Sequence, residues 1–175
     1  MIEELERISS RINESCDSVS SEEHTKTALV LPFIQALGYD TSNPGEFIPE
    51  YLADLSMRGD CVDYVISLCG KPAIIIECKR CDKNLTHEHV CQLRKYFSPL
   101  ISARLGILTN GIEYRFFTDS QDQNVMDSEP FMTFNLKNID SVPFVALQYF
   151  TKQNYSQMVL KRIRAIKSLK KQSIS

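Results

Sequence analysis

Residues 62–80 read VDYVISLCGKPAIIIECKR, and they decide the fold. Two apolar runs rich in Val and Ile flank Cys69, Gly70, Lys71 and Pro72, which predicts two antiparallel strands joined by a tight turn. Asp63 stands near the start of the first strand, and Glu77 and Lys79 close the second. A carboxylate pair and an ammonium therefore interrupt a hairpin that is otherwise apolar, where burial of a lone charge is strongly unfavourable.

Side chains alternate across a strand, so register decides which of these groups meet. In one register Val62, Tyr64, Ile66 and Leu68 share a face with Ile74, Ile76 and Cys78. Asp63, Val65, Ala73, Ile75, Glu77 and Lys79 then form the other. For Asp63 to lie opposite Glu77, the connection must hold an odd number of residues, with Gly70 left-handed, or the ladder must contain a bulge. A plain two-residue turn would set Asp63 against Cys78. In the favourable register the two Cβ atoms are about 5 Å apart, close enough for the carboxylates to share one divalent cation. The plain alternative is a solvated salt bridge between strand-end acids and Lys79.

Working outward, 175 residues suit one domain spanning 1–175, with a core over about 20–120, an N-terminal helix over 1–16 and a C-terminal helical extension over about 142–171. A composition of 43% hydrophobic and 24% charged residues is that of a water-soluble globular chain. No apolar run reaches membrane-spanning length, and the first ten residues are too polar for a secretory signal, so a cytoplasmic address is expected. The six cysteines are then expected to stay reduced. With a net charge of −2, any contact with nucleic acid has to come from local patches.

Ile2, Leu5, Ile8 and Ile12 recur at helical spacing and predict a first helix ending before Cys16. Ser20 and Glu23 read as a capping box for a second helix, with Leu29, Val30, Phe33, Ile34 and Leu37 on its buried face and Gly38 as its stop. Glu22 falls on that buried face and could extend the acidic cluster, or it could be a first-turn acid favoured by the helix dipole. A short edge strand is expected from Phe47 to Tyr51, with Pro49 marking the edge and Glu50 facing either the acids or solvent. A helix over Thr86 to Leu100 carries Val90, Leu93, Phe97 and Leu100 inward, with Gln92 and Tyr96 four apart on a neighbouring face. Asn110-Gly111 predicts a hairpin between 105–108 and 112–117. A sixth strand over 131–136 and a short helix over 142–150 follow. A last helix over 154–170 carries Lys161, Arg162, Arg164, Lys167, Lys170 and Lys171 outward, read either as a solvated face or as a phosphate-binding one.

Cys78, Cys81, His87, His89 and Cys91 tempt a zinc reading, but Cys78 should point into the core, and His87 and His89 are two apart on a helix and cannot share a face.

An Asp followed by Glu-x-Lys at the end of an apolar strand resembles the PD-(D/E)XK nuclease superfamily. The ordered segments LVLPFIQALGYD, GEFIPEY, VDYVI, GKPAIIIECKR, QLRKYF and GILTNGIEYRFFTD resemble, in content and order, the N-terminal nuclease domain of type I restriction enzyme R subunits. The resemblance implies a restriction-endonuclease-like three-layer α/β/α fold with a central mixed β-sheet flanked by helices. It implies a Mg²⁺-dependent DNA endonuclease, with Mn²⁺ a possible substitute, in which Asp63, Glu77 and the main-chain carbonyl of Ile76 hold the ion and Lys79 helps activate water. Gln92 and Tyr96 match a Gln and Tyr motif that contacts DNA, with Arg80 beside the Glu-x-Lys strand as a further DNA contact. Glu22 matches a helix acid of the site, Glu23 being the competing candidate. The expected partners are DNA and other restriction-modification subunits or a separate motor protein, because no Walker-type glycine loop is present to drive ATP-dependent translocation. The rival expectation is a catalytically silent nuclease-like module for DNA binding or assembly.

Overall fold

A computed structural model describes residues 1–15, 18–53 and 61–155. Six strands form one mixed sheet in the order β1 to β6: Phe47–Tyr51, Val62–Leu68, Lys71–Cys78, Leu105–Thr109, Glu113–Phe117 and Met132–Asn135. Neighbours pair antiparallel except β3 and β4, which run parallel across a helical crossover, α4, His87–Phe97. On one face of the sheet, Tyr64, Ile66, Ile74, Ile76, Ile107, Tyr114 and Phe116 pack against α1 (Ile2–Ser15) and the second helical segment. On the other, Val65, Ile75, Leu108 and Phe117 pack against Val90, Leu93, Tyr96 and Phe97 of α4. This is the expected three-layer α/β/α arrangement, with one apolar core on each side of the sheet.

The β2–β3 connection resolves the parity question. Cys69 and Gly70 both have positive φ, 52° and 74°, which is a two-residue turn of the kind that matches strand twist. Alone it would misalign the acids. Leu68 pairs with Lys71 and Ser67 with Pro72, but Ile66 then pairs with Ile74, so Ala73 is an extra residue in β3. Pro72 has no N–H to give a ladder, which favours an irregularity there. The carbonyl of the bulged Ala73 is taken by the Arg104 amide at 3.1 Å. Beyond the bulge Val65 faces Ile75 and Tyr64 faces Ile76, so the next pair in register is Asp63 and Glu77.

Two local expectations are corrected in the second helix. Its N-cap is Ser21, whose hydroxyl accepts the His24 amide at 3.0 Å, and not Ser20. That one-residue shift puts His24 at the third helical position, so no capping box forms and Glu23 is released to pair with Lys26. Nor is the helix uniform. α2 (Glu22–Thr25) runs through a π-helical turn, Lys26–Val30, into α3, Leu31–Ala36. Pro32 is the cause: its ring would collide with the Ala28 carbonyl in a regular helix and its nitrogen cannot donate to it. That carbonyl instead accepts Arg11 Nη1 of α1 at 2.9 Å. Leu29, Val30, Phe33, Ile34 and Leu37 are buried as expected, and Gly38, at φ 89°, ends the helix.

Elsewhere β1 is an edge strand with Pro49 in it, and Glu50 is exposed. Asn110-Gly111 turns β4 into β5, with the Asn110 side-chain oxygen accepting the Ile112 and Glu113 amides. A short helix α5, Phe144–Leu147, follows β6. The basic helix expected over 154–170 lies almost wholly outside the described residues. Among the described residues no helix is long and apolar enough to cross a membrane.

Candidate active site

The site forms where β3 ends beside the start of β2, with Lys26 of the second helical segment reaching it from one side. Parallel β3 and β4 both finish here, the end of an α/β sheet at which ligands characteristically bind. The Lys79 amide is anchored on the Thr109 carbonyl at 2.8 Å, fixing the strand end against β4.

Glu77 sits in the sheet beside Leu108, its side chain 3% exposed. One carboxylate oxygen, Oε1, takes Lys79 Nζ at 2.7 Å, and the other, Oε2, is buried with no hydrogen-bond partner among the described residues. Burial, then the charge of Asp63, push the Glu77 pKa up to about 7 from its ordinary 4.5, with Lys79 opposing. For Lys79 burial acts to lower the pKa, but the Glu77 hydrogen bond and the charges of Glu77, Glu22 and Asp63 outweigh it and leave the pKa raised.

Asp63 is held from two sides. Its Oδ2 accepts the Cys78 amide at 2.7 Å, which replaces the ladder bond that β2 would otherwise supply. Its Oδ1 lies 2.6 Å from Lys26 Nζ. Ile76 lies one residue inside the acid pair, between Tyr64 of β2 and Ile107 of β4. Glu22 is brought to the rim of this cluster, half-exposed, 3.9 Å from Lys26 Nζ, and its charge is felt at both Glu77 and Lys79. Glu23, mostly exposed, shares Lys26 Nζ with Asp63, its Oε1 lying 2.7 Å from that nitrogen.

From the following helix, Tyr96 is buried in the core against the sheet, and Gln92 Nε2 donates to its hydroxyl at 3.3 Å. The two side chains act as one hydrogen-bonded unit and not as separate surface groups. His89, in the first turn of α4, has its pKa lowered by burial and by the Lys79 charge, which places that turn beside the site. Arg80 lies apart, forked onto Asp82. Cys78 is in the core, Cys91 meets His87 at 3.5 Å on the exposed side of α4, and the His89 ring accepts the Thr86 amide. Among the described residues no three His, Cys, Asp or Glu side chains converge on one point that could hold a metal.

Sequence reasoning passed over Lys26. Its signal was available: it lies three and four residues before Leu29 and Val30, on the buried stripe of its helix, where a lysine needs a carboxylate partner.

Residues 55–125 match the family model described as the type I restriction enzyme R protein N terminus. The match bears out, over that span, the resemblance drawn from the ordered motifs, and it contains Asp63, Glu77, Lys79, Gln92 and Tyr96 but not Glu22 or Lys26. Neither a curated protein nor a solved structure gives a significant match to the chain.

Proposed function

We propose that the chain is a divalent-metal-dependent nuclease domain that hydrolyses phosphodiester bonds in DNA, working alongside other restriction-modification subunits or a separate motor. The observation that carries this reading is the buried Glu77 carboxylate, set opposite Asp63 with one oxygen on Lys79 and the other unclaimed among the described residues. A buried carboxylate oxygen without a donor is unfavourable by roughly 1–3 kcal/mol unless a ligand satisfies it. Two carboxylates offer the hard oxygen donors that Mg²⁺ or Mn²⁺ takes, while leaving most of the coordination shell to water and phosphate. Asp63, Glu77 and the main-chain carbonyl at Ile76 are the proposed ligands. When bound, such an ion polarises the phosphoryl oxygen and lowers the pKa of a coordinated water.

The chain's own residues do the rest. The Cys78 amide and the sheet register orient Asp63, and the β4 anchor at Thr109 holds Lys79 over the end of the strand. Lys79 Nζ, a compact ammonium with hydrogens to spare beyond Glu77, orients the attacking water and balances charge building on the phosphate. Glu22 at the rim is the proposed acceptor for the water's proton. Gln92, held by Tyr96, and Arg80, once it leaves Asp82, are the proposed DNA contacts. With Mg²⁺ or Mn²⁺ the protein is expected to nick plasmid DNA, and Asp63→Ala or Lys79→Ala should reduce this at least a hundredfold. Equal inertness of wild type and both variants with either metal would sink the enzymatic reading.

A second reading, a catalytically silent module for DNA binding or assembly, draws on one observation. Both oxygens of Asp63 are already engaged, one by Lys26 and one by the Cys78 amide. It predicts DNA or protein association that survives Glu77→Ala in a gel-shift or pull-down assay.

A further inference from the structure

Lys26 enters the acidic site from the helical layer, and the sheet reading makes no use of it. Its side chain is 10% exposed, yet Nζ lies 2.6 Å from Asp63 Oδ1, 2.7 Å from Glu23 Oε1 and 3.9 Å from Glu22 Oε1. The ammonium hydrogen-bonds to Asp63 and Glu23, while Glu22, at 3.9 Å, is close enough only for a charge–charge contact. The residue also begins the π-helical turn forced by Pro32, an irregularity of a type that recurs at functional sites. Two lysines thus divide the acids: Lys79 serves Glu77 and Lys26 serves Asp63.

We propose that Lys26 is the resident counter-ion of this site. It neutralises Asp63 while the site is empty, and it sets the affinity for a divalent cation low, because an ion taken up by Asp63 and Glu77 becomes the near neighbour of its charge. Glu23, already 2.7 Å from Nζ, is the partner on which the ammonium stays when the ion arrives. The inference rests on the metal reading of the previous subsection and adds to it the residue that regulates loading. A lysine that merely oriented Asp63 for its ligand would act with the opposite sign, since removing it would weaken the ion.

Two charges repelled by one across a shared carboxylate amount to roughly a tenfold effect on affinity even with the screening of bulk water. The test is isothermal titration calorimetry of Mn²⁺ into the full metal-free chain without DNA, comparing wild type, Lys26→Met, Lys26→Gln, Lys26→Arg and Glu77→Ala. Lys26→Met and Lys26→Gln should bind Mn²⁺ about tenfold tighter or more, Lys26→Arg should stay near wild type, and Glu77→Ala should bind far more weakly. Lys26→Gln retains a donor for Asp63 and stands in if the methionine variant does not fold, as judged by circular dichroism. Equal or weaker binding by the folded Lys26 variants, with wild-type binding still lost in Glu77→Ala, overturns the counter-ion role and spares the metal site. No heat from wild type and from the folded Lys26 variants alike, or binding indifferent to Glu77→Ala, overturns both.

Discussion

Glu77 couples the electrostatics of the acid cluster to the stability of the fold. Its pKa is pushed up to about 7 in the folded chain, against an ordinary 4.5 once unfolded. A folded-state pKa above the unfolded one means that the native state holds its proton more tightly. The stabilisation is then complete below pH 4.5 and is lost as the pH climbs through about 7. In EDTA, urea unfolding of the wild type should show stability falling by up to about 3 kcal/mol between those limits, at roughly 1.4 kcal/mol for each pH unit that separates them. Glu77→Gln should lack that fall. Parallel pH profiles for the two proteins would show that the carboxylate is ionised in the native state throughout, with Lys79 as a sufficient partner. The burial of Glu77 and the pairing of Lys79 with it were foreseeable from an acid and a lysine closing an Ile-rich strand. The engagement of Asp63 by Lys26 was not, because it joins residues 37 positions apart on different layers.

The elements make their own test through two glycines of left-handed conformation. Gly111, at φ 79°, turns β4 into β5 directly beneath the second helix, and a Cβ added there would stand 2.8 Å from Leu29 Cβ and 3.1 Å from Thr25 Cγ2. Gly70, at φ 74°, turns β2 into β3 with nothing within 4 Å of such an atom. Gly70→Ala should therefore cost only the backbone strain, about 1–2 kcal/mol. Gly111→Ala should add a packing term and reach about 2–4 kcal/mol. The comparison is read from urea midpoints at unchanged m-value, and equal losses would mean that the helix moves freely away from the turn. Both turns were legible as Gly-containing connections between apolar runs. The irregular turn in the helix was not, because a stripe of Leu29, Val30, Phe33 and Leu37 looks continuous whether or not Pro32 widens it. The N-cap slipped by one because Ser20 and Ser21 are equally good caps in composition, and only the extended backbone of Ser21 distinguishes them.

At the scale of the whole molecule, the three-layer fold was expected from the order of helices and strands and from the family resemblance, and the strands agree with it, since β2, β3, β4 and β5 carry apolar residues on each side. The site was legible as a condition: the acids meet only if the turn has the right parity or the ladder a bulge. Which of the two holds depends on how Pro72 and Ala73 settle against Arg104, a contact remote in sequence. The net charge of −2 has a consequence for DNA. If the chain binds DNA as proposed, the absence of a bulk field of attraction leaves few phosphate contacts to hold it, so affinity measured by fluorescence anisotropy should fall by less than about 10³-fold between 50 and 200 mM salt. A steeper fall would point to a broad basic surface.

The bulge at Ala73 makes the hairpin a counting device. One residue gained or lost anywhere between Ile66 and Ile74 exchanges which side chains look toward Asp63, unless the bulge disappears or a second one forms in the same event. Among proteins that keep both acids, the length of this connection should therefore change in steps of two, or in steps of one accompanied by a change in bulge number. A single-residue indel at a turn bearing no chemistry is then as consequential for the acids as a substitution of either one.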